Sequence, residues 1–141
     1  MSRLLQSNGD DYPAAARKHL KDSAELLAQG RPDGAAYLSG YVVECALKTL
    51  LQLERGSAPW KHSLGDLTLQ VASLTARADL VVGRRCVAVA AHLKQADILK
   101  WRPQVRYRDE NTSGQDAAAW HREAGDAYAM VVGALVLDGR I

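Results

Sequence analysis

Phenylalanine is absent from this chain. The aromatic content is three Trp and five Tyr, so alanine and leucine must fill most of any core. Chains of that kind favour close-packed helices. Cysteine is nearly absent as well. Cys45 and Cys86 lie inside apolar helical patterns, with neither a CxxC pair nor a Cys/His cluster nearby. That excludes a disulfide framework and reads as two buried, reduced thiols. Neither sign of charge dominates: 18 basic against 16 acidic residues give a net charge of +2. Charge alone therefore does not argue for a nucleic-acid partner, although a local basic patch is compatible with it. No apolar run approaches the ~20 residues a bilayer-spanning helix needs. The N-terminal MSRLLQSNGDDYP is too short and polar for a signal peptide, so a cytoplasmic protein away from membranes is expected.

Chemical signatures are missing too. The four histidines are scattered without HxxxH or HxxEH spacing, so no metal site is expected. No glycine-rich turn could cradle a phosphate, and no cofactor is implied. Ser-His-Asp catalysis has no signal beyond the presence of those residue types. Strand-like alternation, internal repeats, low-complexity tracts and linkers are lacking.

What remains is helical periodicity. The 141 residues suit one domain with one core. Residues 1–11 read as a flexible arm and residues 12–141 as a single helical domain. A first helix begins near Pro13 with Asp11 as its cap and ends at Gly30; Ala16, Leu20, Ala24 and Leu27 form its apolar stripe. A second runs from about Asp33 to Arg55. Ser63 caps a third, with Asp66 in the capping-box position and Leu64, Leu67, Val71 and Leu74 as its stripe. A fourth covers roughly residues 79–100, with Gly83 a possible kink. Residues 102–115 read as a long polar loop, a length often reserved for function. The last helix runs from Asp116 to about Leu137, with Trp120, Ala124, Ala127, Val131 and Leu135 inward. The fold class is all-α: an antiparallel bundle of four to five helices.

The second helix carries the most information. Its apolar residues Leu38, Val42, Val43, Cys45, Ala46, Leu47, Leu50 and Leu53 spread over more than half the circumference, as expected of a central helix. The remaining arc holds Tyr37, Tyr41, Glu44 and Lys48 on one stripe. Glu44 and Lys48 have the favourable i, i+4 order. This stripe is either a solvated polar face or the lining of a groove. As a groove, it could hold a nucleotide by stacking and charge, or orient an arginine from the long loop.

Residues 33–52, DGAAYLSGYVVECALKTLLQ, resemble the core helix of HEPN-domain proteins (higher eukaryote and prokaryote nucleotide-binding domain). Tyr37, Leu38, Gly40, Tyr41, Glu44, Leu47 and Lys48 occupy the Tyr-Leu-x-Gly-Tyr-x-x-Glu-x-x-Leu-Lys pattern of one branch. The preceding helix, the His62-Ser-Leu64 step into the third helix, and Trp101, Arg106 and Tyr107 resemble further family elements in the same order. The resemblance implies an up-and-down bundle, like the nucleotidyltransferase substrate-binding bundles, that commonly forms homodimers. Many such proteins are ribonucleases, often toxins paired with a nucleotidyltransferase-like antitoxin. Others bind nucleotides, RNA or proteins without catalysis.

The family's ribonucleases carry an Arg followed, after four to six residues, by a His around the final helices. Here the last helix holds His121 with no Arg at that distance. Arg85-Cys-Val-Ala-Val-Ala-Ala-His92 meets the bare spacing on the fourth helix. The two residues share a face with Val81, Val82, Val89, Ala96 and Leu99, but Cys86 follows the Arg where a polar residue is usual.

Three readings follow. In the first, Tyr37, Tyr41, Glu44, Lys48 and His62, closed by Trp101, Arg106 and Tyr107, bind a nucleotide, RNA or a protein without catalysis. The same set could be purely structural, with Lys48 or Arg106 pairing an inward Glu44. In the second, His92 acts as base or acid and Arg85 holds the phosphate in metal-independent RNA cleavage. In the third, the chain is a dimerisation or docking module. His62, in a Trp-Lys-His loop before a helix, is a candidate phosphate contact. His19 and His121 read as surface or cap residues.

Overall fold

A computed structural model describes residues 1–74, 78–108 and 112–141. Asp11 caps α1 (Tyr12–Ala28): its carboxylate accepts from the Ala14 N–H, and Pro13 sits in the first turn where its missing N–H is harmless. A three-residue link leads into α2 (Pro32–Arg55), which Gly56 ends in the left-handed conformation at φ 78°. Ser63 caps α3 (Leu64–Ser73) by accepting from the Asp66 N–H. The Asp79 carboxylate caps α4 (Leu80–Leu93), which runs through Gly83 without interruption. Two 3₁₀ turns follow, Asp97–Lys100 and Pro103–Tyr107. Ser113 then caps α5 (Gly114–Tyr128), which widens into a π-turn at Ala129–Gly133 and ends in α6 (Ala134–Leu137). Among the described residues there is no strand, and no helix is long and apolar enough to cross a membrane.

α2 is the axis of the bundle, packed chiefly between α1 and α5. Contacts between α1 and α2 pair Leu26 with Gly34, Ser23 with Ser39, His19 with Tyr41 and Lys48 with Tyr12. One number falls as the other rises, so the two helices are antiparallel. The pairs Leu20–Gly125 and Ser23–His121 give α5 the same relation to α1. The core is built on Val42, Val43, Leu47, Leu50 and Leu51 of α2, with the expected Leu64, Leu67, Val71 and Leu74 of α3, and Ala124, Ala127, Val131 and Leu135 of the last helix. Cys45 and Cys86 are buried and free. Burial pushes their thiols up to about 12 and about 11, so neither is a nucleophile at neutral pH.

Several expectations are corrected. In α1 it is Ser23, not Ala24, that is buried with Ala16. Its hydroxyl joins a polar chain inside the bundle, meeting the Ala35 carbonyl and Ser39 Oγ on α2 and His121 Nδ1 on α5. The fourth helix stops at Leu93, seven residues short. There the Glu123 carboxylate of α5 accepts from the Asp97 and Ile98 N–H groups and starts a 3₁₀ turn instead. The buried face of α4 is Val82, Cys86, Val89 and Leu93, which leaves Arg85 and His92 on its half-buried flank. The 102–115 segment holds the Pro103–Tyr107 turn and the start of α5; its residues 109–111 lie outside the described ones.

Candidate functional site

Glu44 and Lys48 do not form a solvated stripe: they are only 4% and 5% exposed. α2 is covered almost all round, so its polar arc is covered as well. Lys48 Nζ donates to Glu44 Oε1 at 2.8 Å and lies 5.7 Å from the Tyr12 ring centroid. The 57–63 loop supplies Glu44's second partner, His62, whose Nδ1 lies 3.0 and 3.1 Å from the two carboxylate oxygens. The inward Glu44 therefore has Lys48 as its cation and His62 as a hydrogen-bond partner, and the expected alternative cation, Arg106, bonds the Tyr107 hydroxyl instead. A little further out on α2, Gln52 Nε2 donates to the Leu4 carbonyl of the N-terminal arm, which holds neither helix nor strand.

One turn up α2, the tyrosines meet an indole. Trp101 is fully buried; its Nε1–H donates to the Tyr37 carbonyl at 3.1 Å, and its ring stands edge-on to Tyr41 at 4.9 Å. The Tyr37 hydroxyl donates to the Tyr41 hydroxyl at 3.3 Å. Burial pushes the Tyr41 phenol well above its ordinary value. Arg106 Nη2 donates to the Tyr107 hydroxyl at 2.7 Å and its guanidinium lies over the Tyr107 ring at 4.7 Å; the nearby Tyr37 and Tyr107 hydroxyls favour its charged form. Tyr41 also packs against His62 on one side and His19 on the other.

The structure thus brings Tyr37, Tyr41, Glu44, Lys48, His62, Trp101, Arg106 and Tyr107 into one connected group. Two parts of it face solvent. On the 57–63 loop, Trp60 is 91% exposed beside exposed Lys61 and His62. On the 103–107 turn, Tyr107 is 74% exposed beside exposed Arg106. Sequence reading missed Trp60 as a surface feature and His19 as a neighbour of Tyr41. The Pro-Trp-Lys-His run signals the first; no pattern signals the second.

The fourth-helix pair is not joined to this group. Arg85 makes a two-point bond with the Asp138 carboxylate, Nε to Oδ2 and Nη2 to Oδ1, both at 3.0 Å. His92 Nε2 lies 3.1 Å from the Glu123 carbonyl, which can only accept, so Nε2 carries the proton. No group of three or more His, Cys, Asp or Glu fit to hold a metal ion occurs among the described residues.

His19 and His121 are half-buried inside the bundle rather than on its surface. Burial lowers both imidazoles from their ordinary value of 6.5, Lys18 adding to the effect at His19. A histidine kept neutral by folding binds its proton more readily once unfolded. Its contribution to stability is therefore present above 6.5 and lost as the pH falls through the lowered folded values. Melting is expected at a lower temperature near pH ~5.5 than near pH ~7.5, and His121→Asn should flatten part of that slope. Thermal unfolding followed by circular dichroism at both pH values checks this; an unchanged slope in the variant would remove His121 as a contributor.

The family model described as HEPN domain matches residues 11–132 of the chain. Comparison with curated proteins and with solved structures gave no match.

Proposed function

Because the chain belongs to the HEPN-domain family, which ties it in general terms to nucleotide- or RNA-related work, we propose that it binds single-stranded RNA along the outer edge of α2, without catalysis of its own. The observation that carries this reading is the pair of exposed aromatic side chains, Trp60 and Tyr107, on the two segments flanking Tyr37 and Tyr41. Isolated exposed apolar residues are ordinary, but large rings beside exposed cations are what a strand of bases and phosphates needs. Trp60 has Lys61 beside it and Tyr107 has Arg106 stacked on it. Between them, Tyr41 and the seated Trp101 give both segments a rigid backing.

Two contacts weigh against cleavage by Arg85 and His92. The guanidinium that would clamp a phosphate is occupied by Asp138, and the imidazole N–H is spent on a backbone carbonyl.

Fluorescence anisotropy with a short labelled oligoribonucleotide tests the reading. Trp60→Ala and Tyr107→Ala should each weaken binding by about 1–3 kcal/mol, roughly 5- to 150-fold, as expected for loss of one stacked base. Arg106→Ala should reduce the salt dependence by about 0.7 in the logarithmic slope, the loss of one phosphate contact on a single strand. Arg85→Ala and His92→Ala should bind as the wild type does. Absence of binding by the wild type, or full binding by both aromatic variants, sinks the proposal.

A further inference from the structure

His62 stands where the RNA of the preceding section would pass, with its side chain 47% exposed. Its inner edge is fixed. Nδ1 lies against both oxygens of Glu44, and that carboxylate is buried and ion-paired with Lys48 at 2.8 Å. A carboxylate has only acceptor oxygens, so Nδ1 must carry the proton. In a neutral imidazole with a protonated Nδ1, the other nitrogen offers a lone pair. His62 Nε2 has no hydrogen-bond partner among the described residues. The ring is also held sideways, with Tyr41 standing edge-on at 6.5 Å. With the ring neutral, the bundle presents one oriented acceptor at the rim of an aromatic, cationic surface.

An acceptor selects its partner by chemistry. Phosphate oxygens are acceptors too and gain nothing from a lone pair. Stacking on Trp60 or Tyr107 uses the face of a base and does not sense the sugar. The backbone group that donates is the ribose 2′-hydroxyl, which RNA has and DNA lacks. We propose that His62 Nε2 accepts a hydrogen bond from a ribose 2′-hydroxyl and is the residue by which this protein prefers RNA to DNA. Glu44 is the positioning residue that sets the tautomer and the angle of the ring, and Lys48 holds Glu44 in place. The inference rests on the RNA-binding reading above.

The test uses oligonucleotides of one sequence in three forms: ribose, 2′-deoxyribose and 2′-O-methylribose. Wild-type protein should bind the ribose form roughly 3- to 10-fold more tightly than the deoxy form, the range for one net hydrogen bond. The 2′-O-methyl form, which cannot donate, should behave as the deoxy form does. His62→Phe keeps a ring and removes the acceptor together with the Nδ1–H bond to Glu44, so its fold is confirmed first by circular dichroism. It should bind the ribose and deoxy strands alike. Equal wild-type affinity for ribose and deoxy strands overturns the inference, and that comparison needs no variant. A ribose preference that survives in His62→Phe overturns it as well. Binding that depends on Trp60 but ignores the sugar removes this inference and leaves the RNA-binding reading standing. Binding to none of the three strands removes both.

Discussion

Gly40→Ala is expected to destabilise the fold by about 2–4 kcal/mol, although alanine is the better helix former. The intrinsic gain of replacing glycine inside a helix is about 1 kcal/mol. Against it stands the indole of Trp101. A Cβ on Gly40 would lie 2.0 Å from Cε2, 2.1 Å from Cδ2 and 2.2 Å from Nε1 of that ring. These are atoms of a rigid, fully buried bicycle, not the tip of a flexible chain, so the ring must leave its seat. Leaving breaks the Nε1–H bond to the Tyr37 carbonyl and the edge contact with Tyr41. Loss of a buried tryptophan's packing typically amounts to about 3–5 kcal/mol, which outweighs the helix gain. Urea unfolding should show a lower midpoint with an unchanged slope, and tryptophan emission should shift to the red as Trp101 meets water. A midpoint equal to that of the wild type would refute the packing account. A pairwise conflict also predicts non-additivity: Gly40→Ala should do less harm in a Trp101→Leu background, where the large ring is already gone.

The same substitution reaches the candidate site. Trp101 anchors the stretch that leads into the Pro103–Tyr107 turn, and that turn carries Arg106 and Tyr107. Unseating the indole displaces the turn, so Gly40→Ala should weaken RNA binding as well as folding. Glycine at this position has a packing reason and needs no special backbone conformation, since its φ is ordinary for a helix.

Residue patterns made some of this legible. The cap at Asp11, the end of α2 at Arg55, the Ser63 cap and the core stripe of α3 all follow from short-range rules, and the structure contains each of them. The assembly of Tyr37, Tyr41, Glu44 and Lys48 with Trp101, Arg106 and His62 was legible through the family resemblance, because spacing along one helix says nothing about a loop 18 or 64 residues away. Three things escaped for physical reasons. The burial of the Glu44 arc depends on which elements cover it, and periodicity sees only the helix itself. The end of α4 at Leu93 is set by Glu123, a carboxylate reaching across from another helix. His121 escaped likewise: its partner Ser23 sits 98 residues earlier, and nothing local marks it.

Lys48→Met is the sharper test of the buried arc. Methionine keeps the unbranched apolar stem of lysine and drops only the terminal ammonium position, so packing around the side chain is largely preserved. What disappears is the ammonium that pairs with Glu44 at 2.8 Å and lies near the Tyr12 ring. A buried carboxylate stripped of its partner typically destabilises a protein by about 3–5 kcal/mol. Here His62 still donates to Glu44, so a loss near the lower end, about 3 kcal/mol, is expected. Adding Glu44→Gln removes the stranded charge. The double variant should then recover about 1–3 kcal/mol relative to the sum of the two single changes, and chemical denaturation of all four proteins closes that cycle. The recovered protein should differ from the wild type in one respect. An amide can donate as well as accept, so after Glu44→Gln nothing forces the proton onto His62 Nδ1, and the oriented acceptor on the ring's outer edge is lost. Stability regained together with a vanished ribose preference would separate the two roles of the pair, one in holding α2 and one in aiming His62. Stability regained with the preference intact would leave Glu44 a structural residue only.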